Sequence, residues 1–277
     1  MSAPTVLVPL EGSSDVTPAL PVARGLAALK NATVVLMHVG REPLAPDEFL
    51  ARGRLDRDDV RGLVIDHRVG SPVEAIIREA AIRHSELIVL AVQTRADDPS
   101  APFGRVAKEV LRTAPCPVVL VPSTRGRDPW ALRQLVLPHD GTPTSAAAIA
   151  PAVQIAAQTS ADFVVLHVAT PDGRRPQEPG TFMIPRYFDQ PQHEWPAWAR
   201  EFLERVRCLG HPANVETIRL VLAHGEADAA ILAFARHNAS DLIALAWRGR
   251  FGAKRARTMR RVVRGANCPV IVFRVPA

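Results

Sequence analysis

Residues able to do chemistry are plentiful in this chain of 277 residues, but few are grouped. Cys116, Cys208 and Cys268 are far from CxxC spacing, so neither zinc binding nor thiol–disulfide exchange is expected. All three are read as small buried hydrophobes in a reducing compartment. The nine histidines form no HExxH pair and no cluster with cysteine, so no metal site is expected. His38 and His167 close two similar apolar runs, but no serine or cysteine nucleophile sits in a GxSxG elbow, and both are read as hydrogen-bonded core histidines.

Anion-binding chemistry is concentrated near the C-terminus. After Asp241 there is no acidic residue, while Arg248, Arg250, Lys254, Arg255, Arg257, Arg260, Arg261, Arg264 and Arg274 are all basic. The net charge is +6, and with those nine set aside the 34 basic residues fall to 25 against 28 acidic ones, so the excess is local. Residues 247–264 interleave this charge with Phe251, Ala253, Ala256 and Met259, as an amphipathic helix with a cationic face would. A solvated face beside an anion pocket explains that pattern. No nucleic-acid motif accompanies it, and contact with nucleic acid or an anionic lipid surface is the secondary reading.

The elements that must position these residues occur twice. Val6-Leu-Val-Pro-Leu-Glu-Gly12 aligns with Leu135-Val-Leu-Pro-His-Asp-Gly141, and residues 32–39 align with 161–168, without a gap at an offset of 129. At an offset of 155, Gly70-Ser-Pro-Val-Glu-Ala-Ile-Ile pairs with Gly225-Glu-Ala-Asp-Ala-Ala-Ile-Leu, and Glu86-Leu-Ile-Val-Leu-Ala with Asp241-Leu-Ile-Ala-Leu-Ala. Cys116-Pro-Val-Val-Leu-Val finally matches Cys268-Pro-Val-Ile-Val-Phe.

Each half alternates short β-branched runs with alanine-rich helical stretches, the pattern of parallel strands buried on both faces and joined by crossover helices. In the first half the pattern predicts strands near 5–10, 32–39, 63–69, 87–92 and 117–121, and helices near 15–30, 47–60, 72–84 and 104–113. Ser71-Pro72 is the expected cap and first-turn pair of the third helix. The fold class is therefore α/β: two repeated doubly wound, Rossmann-like domains, each a five-stranded parallel sheet flanked by helices. The expected boundaries are 1–122 for the first domain, 123–133 for a polar linker and 134–277 for the second, with a long aromatic connection over 171–200. That connection carries Phe182, Met183, Tyr187, Phe188, Trp195 and Trp198, which need covering by the pocket, the first half or a second copy. No apolar run reaches the roughly 18 residues of a membrane span, and the N-terminus lacks a signal pattern, so a cytoplasmic protein without membrane insertion is expected.

A first strand ending in Pro-x-Asp-Gly, a second ending in Leu-His-Val, a glycine before the third helix, an Asp-Leu-Ile strand and a closing Ala-Pro-Cys-Pro-Val resemble the universal stress protein family. The resemblance covers nearly the whole chain except the linker and residues 171–200. It implies an adenine nucleotide alpha hydrolase-like fold and an ATP-type ligand, with Mg²⁺ bound only through the nucleotide. In that family the first-strand acid faces adenine and ribose, a position held here by Glu11 and by Asp140-Gly141. Val39 and Val168 match the residue flanking adenine, and Gly225 belongs to the shared pattern.

The family's phosphate loop runs Gly-x-x-Gly, about nine residues, then Gly-Ser/Thr. Glycines there let the backbone approach phosphate, and the helix-start amides supply donors. In this chain the matching positions are Ala91, Thr94 and Gly104-Arg105 in the first half, and Ala246, Gly249 and Ala256-Arg257 in the second. Most glycines are gone, and arginine replaces the hydroxyl in both halves. Turned inward, Arg105 and Arg257 would hold an anion bidentately; turned outward, they are solvated helix-start residues, which is the preferred reading.

No cofactor is certain. The expected function is that of a non-catalytic stress-response protein with degenerate nucleotide loops, whose halves pair as a pseudo-dimer within the chain, with a homodimer as a further option. Alternatives are a sensor of adenine nucleotide or a related small anion, centred on the second half and with at most slow ATP hydrolysis, and an interaction scaffold using 171–200 or 247–264.

Overall fold

The computed structural model describes residues 3–10, 15–93, 104–169, 178–181, 191–210, 218–248 and 254–275. The first half runs β1 (Thr5–Leu10), α1 (Ala19–Leu29), β2 (Thr33–Gly40), α2 (Pro46–Gly53), β3 (Val64–Val69), α3 (Pro72–Ile82), β4 (Leu87–Val92), α4 (Arg105–Thr113) and β5 (Val118–Pro122). The second continues with β6 (Gln134–Pro138), α5 (Pro143–Ala146), α6 (Ile149–Ala157), β7 (Asp162–Ala169), α7 (Pro191–Gly210), β8 (Ile218–His224), α8 (Ala227–His237), β9 (Leu242–Trp247), α9 (Lys254–Gly265) and β10 (Val270–Arg274). Among the described residues each half contributes five strands alternating with helices, the Rossmann-like α/β pattern.

By compactness the chain divides into unit 1, residues 1–131 with 249–274, and unit 2, residues 132–248 with 275–277. Within unit 1 the strands lie in the order β3-β2-β1-β4-β5-β10, parallel except that β10 runs antiparallel to β5. The last strand of the second half thus pairs with the last strand of the first. α4 packs on β10 and α9 on β5, so these terminal elements are interleaved. Within unit 2 the order is β9-β6-β7-β8, all parallel.

The unbroken apolar runs follow from burial on both faces. Every residue of β1 is buried, and so are all of Val34–Val39 in β2. The edge strand β3 has one neighbour and behaves differently, with Val64 43%, Ile65 43% and Val69 60% exposed. Asp66 and Arg68 interrupt its apolar surface, as charges do on edges that must resist further pairing.

Several local expectations need correction. Helix α2 stops at Gly53 rather than near 60, because Arg54 takes a left-handed conformation (φ 53°) and Asp56 and Asp59 accept each other's amide N–H in a closed loop. Pro72 opens α3 as expected, but Ser71 makes no side-chain cap. Residues 191–200 of the aromatic connection are helical, part of α7, and Phe182, Met183, Tyr187 and Phe188 lie outside the described residues.

The cysteines divide. Cys268 is buried, Cys116 is half-buried with burial pushing its thiol up to about 12, and Cys208 is exposed on α7, against the expectation that all three are inside. Alkylation of the native chain at pH 8 should modify Cys208 first, with Cys116 and Cys268 joining only after denaturation. Mass spectrometry of tryptic peptides reads the order directly.

Candidate functional site

The strand order reverses between β1 and β4 in unit 1 and between β6 and β9 in unit 2, and ligands of open α/β sheets sit outside the carboxyl ends of the strands at such points. In unit 2 the chain leaves β6 at Pro138 and crosses the end of the sheet through His139 and Asp140. His139 is buried edge-on against Phe202, with ring centroids 5.0 Å apart, and its Nδ1 accepts the Gly141 N–H at 2.9 Å. Gly141 has φ 81°, a conformation glycine takes without a side-chain penalty. Asp140 Oδ1 then accepts the Thr142 N–H (3.2 Å), the Thr142 hydroxyl (2.5 Å) and the Ser145 hydroxyl (2.7 Å). This Asx turn delivers the chain into α5, whose cap is Thr142, its Oγ1 accepting from the Ser145 N–H at 3.3 Å.

Two residues on, Thr144 is 2% exposed and faces Glu178. The Thr144 N–H donates to Glu178 Oε1 at 3.0 Å, and its hydroxyl lies 2.8 Å from Oε1 and 2.9 Å from Oε2. From the segment after β9, Arg248 Nη2 donates to the same Oε1 at 2.7 Å. Glu178 is presented by a tight turn in which Thr181 N–H reaches the Glu178 carbonyl at 3.2 Å and Gly180 has φ 80°. Pro then Gly in the two central positions is the type II pattern. A carboxylate therefore bridges the first turn of α5 to the segment after β9.

His167, on β7, contributes a second ring to the wall around Phe202, at 6.4 Å. Burial lowers its pKa, opposed by a hydrogen bond to the His139 backbone and by the Asp140 charge. In unit 1 the counterpart is His38, packed edge-to-face with Phe49 (6.5 Å) and His67 (5.9 Å). Its pKa is lowered by burial, then by the charges of Arg52 and His67. Among the described residues its Nδ1 has no hydrogen-bond partner, so the expectation of a hydrogen-bonded core histidine is not met at that nitrogen.

Of the residues singled out in the sequence, Glu11, Thr94 and Gly249 lie outside the described residues, as do Arg250, Phe251 and Ala253 of the basic stretch. Val39 is 9% exposed at the end of β2, and Val168 is half-buried near the end of β7. Gly225 has φ 116° and no atom within 4 Å of where a Cβ would stand, so it serves the turn into α8 rather than a close approach. Ala246 is half-buried on β9, and Gly104 and Arg105 are exposed at the start of α4. Arg257 is exposed on α9, which belongs to unit 1, whereas Asp140, Gly141, Val168, Gly225 and Ala246 belong to unit 2. Among the described residues neither Arg105 nor Arg257 makes an ion pair, and no group of three His, Cys, Asp or Glu suits a metal.

Three residues were missed, Thr144, Glu178 and Asp15, while Arg248 was named only as a member of the basic run and not as a partner of this site. Asp15 Oδ1 accepts from the Thr17 N–H (3.0 Å) and hydroxyl (2.5 Å), the same turn that Asp140 makes with Thr142. The signal was the tetrapeptide Asp-x-Thr-Pro, at 15–18 and 140–143, an offset of 125 that a gapless alignment at 129 hides.

Comparison with known proteins follows this geometry. No curated protein matches the chain. Among solved structures, a functionally unknown protein from Pseudomonas aeruginosa PAO1 is similar at TM-score 0.63 and 19% identity, covering 98% of this chain and 92% of that one. A universal stress protein from Archaeoglobus fulgidus DSM 4304 is similar at 0.62 and 16%, covering 99% of each. A putative universal stress protein from Pseudomonas aeruginosa UCBPP-PA14 gives 0.63 and 19%, covering 98% and 93%. At these identities the likeness concerns the fold. The model of the universal stress protein family matches twice, over residues 3–122 and 131–274, and with five strands in each half and the doubled first-strand turn, the chain belongs to that family as a tandem member.

Proposed function

We propose that this tandem universal stress protein is a non-catalytic, cytoplasmic stress-response protein whose crevices no longer hold ATP tightly. The observation that carries this reading is that the polar groups of the unit 2 crevice are engaged by the chain itself. Asp140 Oδ1 already has three donors, and Glu178 takes the Thr144 amide, the Thr144 hydroxyl and Arg248. In that arrangement these residues do not fit a nucleotide phosphate, since the donors it would need already hold the Glu178 carboxylate, and a second anion beside that carboxylate would be repelled. Exposed Arg105 and Arg257 supply no compensating clamp, and Mg²⁺ would enter only with a nucleotide.

The division into domains 1–122 and 134–277 around a linker is part of the same reading. The antiparallel β5–β10 pair supports halves that are mated within one chain. A second reading, a weak adenine-nucleotide sensor in the second half, is favoured by the Thr144–Arg248 pair, which already binds a carboxylate.

Phosphate release from Mg²⁺-ATP by the purified chain tests the non-catalytic claim. The expected rate equals that of the protein-free blank. Release that Asp140→Ala abolishes would overturn it.

A further inference from the structure

We propose that the second crevice contains an oxyanion seat formed by the Thr144 amide, the Thr144 hydroxyl and the Arg248 guanidinium, and that Glu178 is a tethered competitor for it, so phosphate-class ligands enter only when Glu178 leaves. The proposal rests on the reading above that wild-type chain binds nucleotide weakly, and supplies its cause.

The argument begins with the donors. An amide N–H and a hydroxyl from the first turn of α5 and a guanidinium from the segment after β9 converge on one carboxylate, at 3.0, 2.8 and 2.7 Å. Charge-assisted bonds of this kind suit any planar or tetrahedral oxyanion, carboxylate and phosphate alike. The Glu178 side chain is only 12% exposed there, and Thr144 is buried, so the seat is enclosed on the protein side and reached past Arg248, whose side chain is 44% exposed.

The turn that carries Glu178 makes the competition effective. Pro179 and Gly180 (φ 80°) close it, and a Cβ on Gly180 would stand 3.3 Å from Pro143, so the turn lies against the start of α5. A group tethered this way competes at an effective concentration of about millimolar or more, which lowers the apparent affinity of any free anion in proportion.

Full-length wild type, Glu178→Ala and Glu178→Gln are titrated calorimetrically with pyrophosphate and, separately, with ATP, after thermal melts confirm that each is folded. Glu178→Ala should bind pyrophosphate at least about ten-fold more tightly than wild type, and Glu178→Gln, which keeps the size and removes the charge, should shift the same way. Adding Thr144→Val to Glu178→Ala should remove the gain. An equal gain for both probes assigns the seat to phosphate in general, and a larger gain for ATP assigns it to a nucleotide; both support the proposal. Folded Glu178 variants that bind neither probe better than wild type would overturn it. Micromolar ATP binding by wild type would instead contradict the reading of weak binding, and if Glu178→Ala does not fold, the Glu178→Gln titration decides.

Discussion

Replacing Glu79 by alanine should lower the stability of unit 1 by about 2–3 kcal/mol, read from urea denaturation. Glu79 is 4% exposed on α3 and receives a bidentate pair from Arg68, at 2.8 and 3.0 Å, with Arg83 Nε at 3.3 Å. The same two arginines hold Asp66 on β3, so the carboxylate locks α3 onto the edge strand. Removing it leaves two guanidinium groups sharing one acid. Their partial exposure, 32% and 27%, places the effect below the roughly 3–5 kcal/mol of a fully buried pair.

The pH dependence has a definite sign. Hydrogen bonds from Arg68 hold the Glu79 carboxyl below its ordinary 4.5, against the opposing effect of burial. A depressed carboxylate contributes stability that is present above the unfolded value and is lost as pH falls through the folded one. Wild type should therefore lose stability below pH 4.5 more steeply than Glu79→Ala. His38 and His167 act at higher pH: burial depresses both below 6.5, so the unfolded chain takes up protons first and stability begins to fall as pH drops through that value, in wild type and variant alike.

Phe202→Ala should cost unit 2 about 3–5 kcal/mol, the range for deleting a buried aromatic ring. Phe202 is 2% exposed on α7, edge-on to both His139 and His167. Its loss opens a cavity under the loop that carries Asp140, because His139 anchors Gly141 through Nδ1. Urea denaturation should show the lowered midpoint, and hydrogen exchange should show faster exchange at the Gly141 amide. A loss below 1 kcal/mol would mean that the ring is not a support of that loop.

The strands were legible because parallel strands buried on both faces leave unbroken apolar runs, as in Thr5–Leu10 and Leu242–Trp247. The end of α2 was not legible, since a left-handed arginine at 54 has no compositional mark and the helical pattern continues past it. Asp140 was found through the family resemblance of the Pro-x-Asp-Gly that ends its strand, whereas Asp15 was displaced by the residues inserted before it. Thr144, Glu178 and Arg248 meet across 34 and 70 positions, and neither pairing leaves a periodic trace in the chain. The local part of that site, Glu-Pro-Gly-Thr at 178–181, was readable as a turn, but not what it would touch.

Titrating Mg²⁺-ATP calorimetrically into intact wild-type chain tests most directly whether the chain no longer holds nucleotide, its second crevice being occupied by the protein's own contacts. The account predicts heats that match dilution, with no saturable binding at concentrations below about a millimolar. A saturable isotherm with Kd near a micromolar would contradict it.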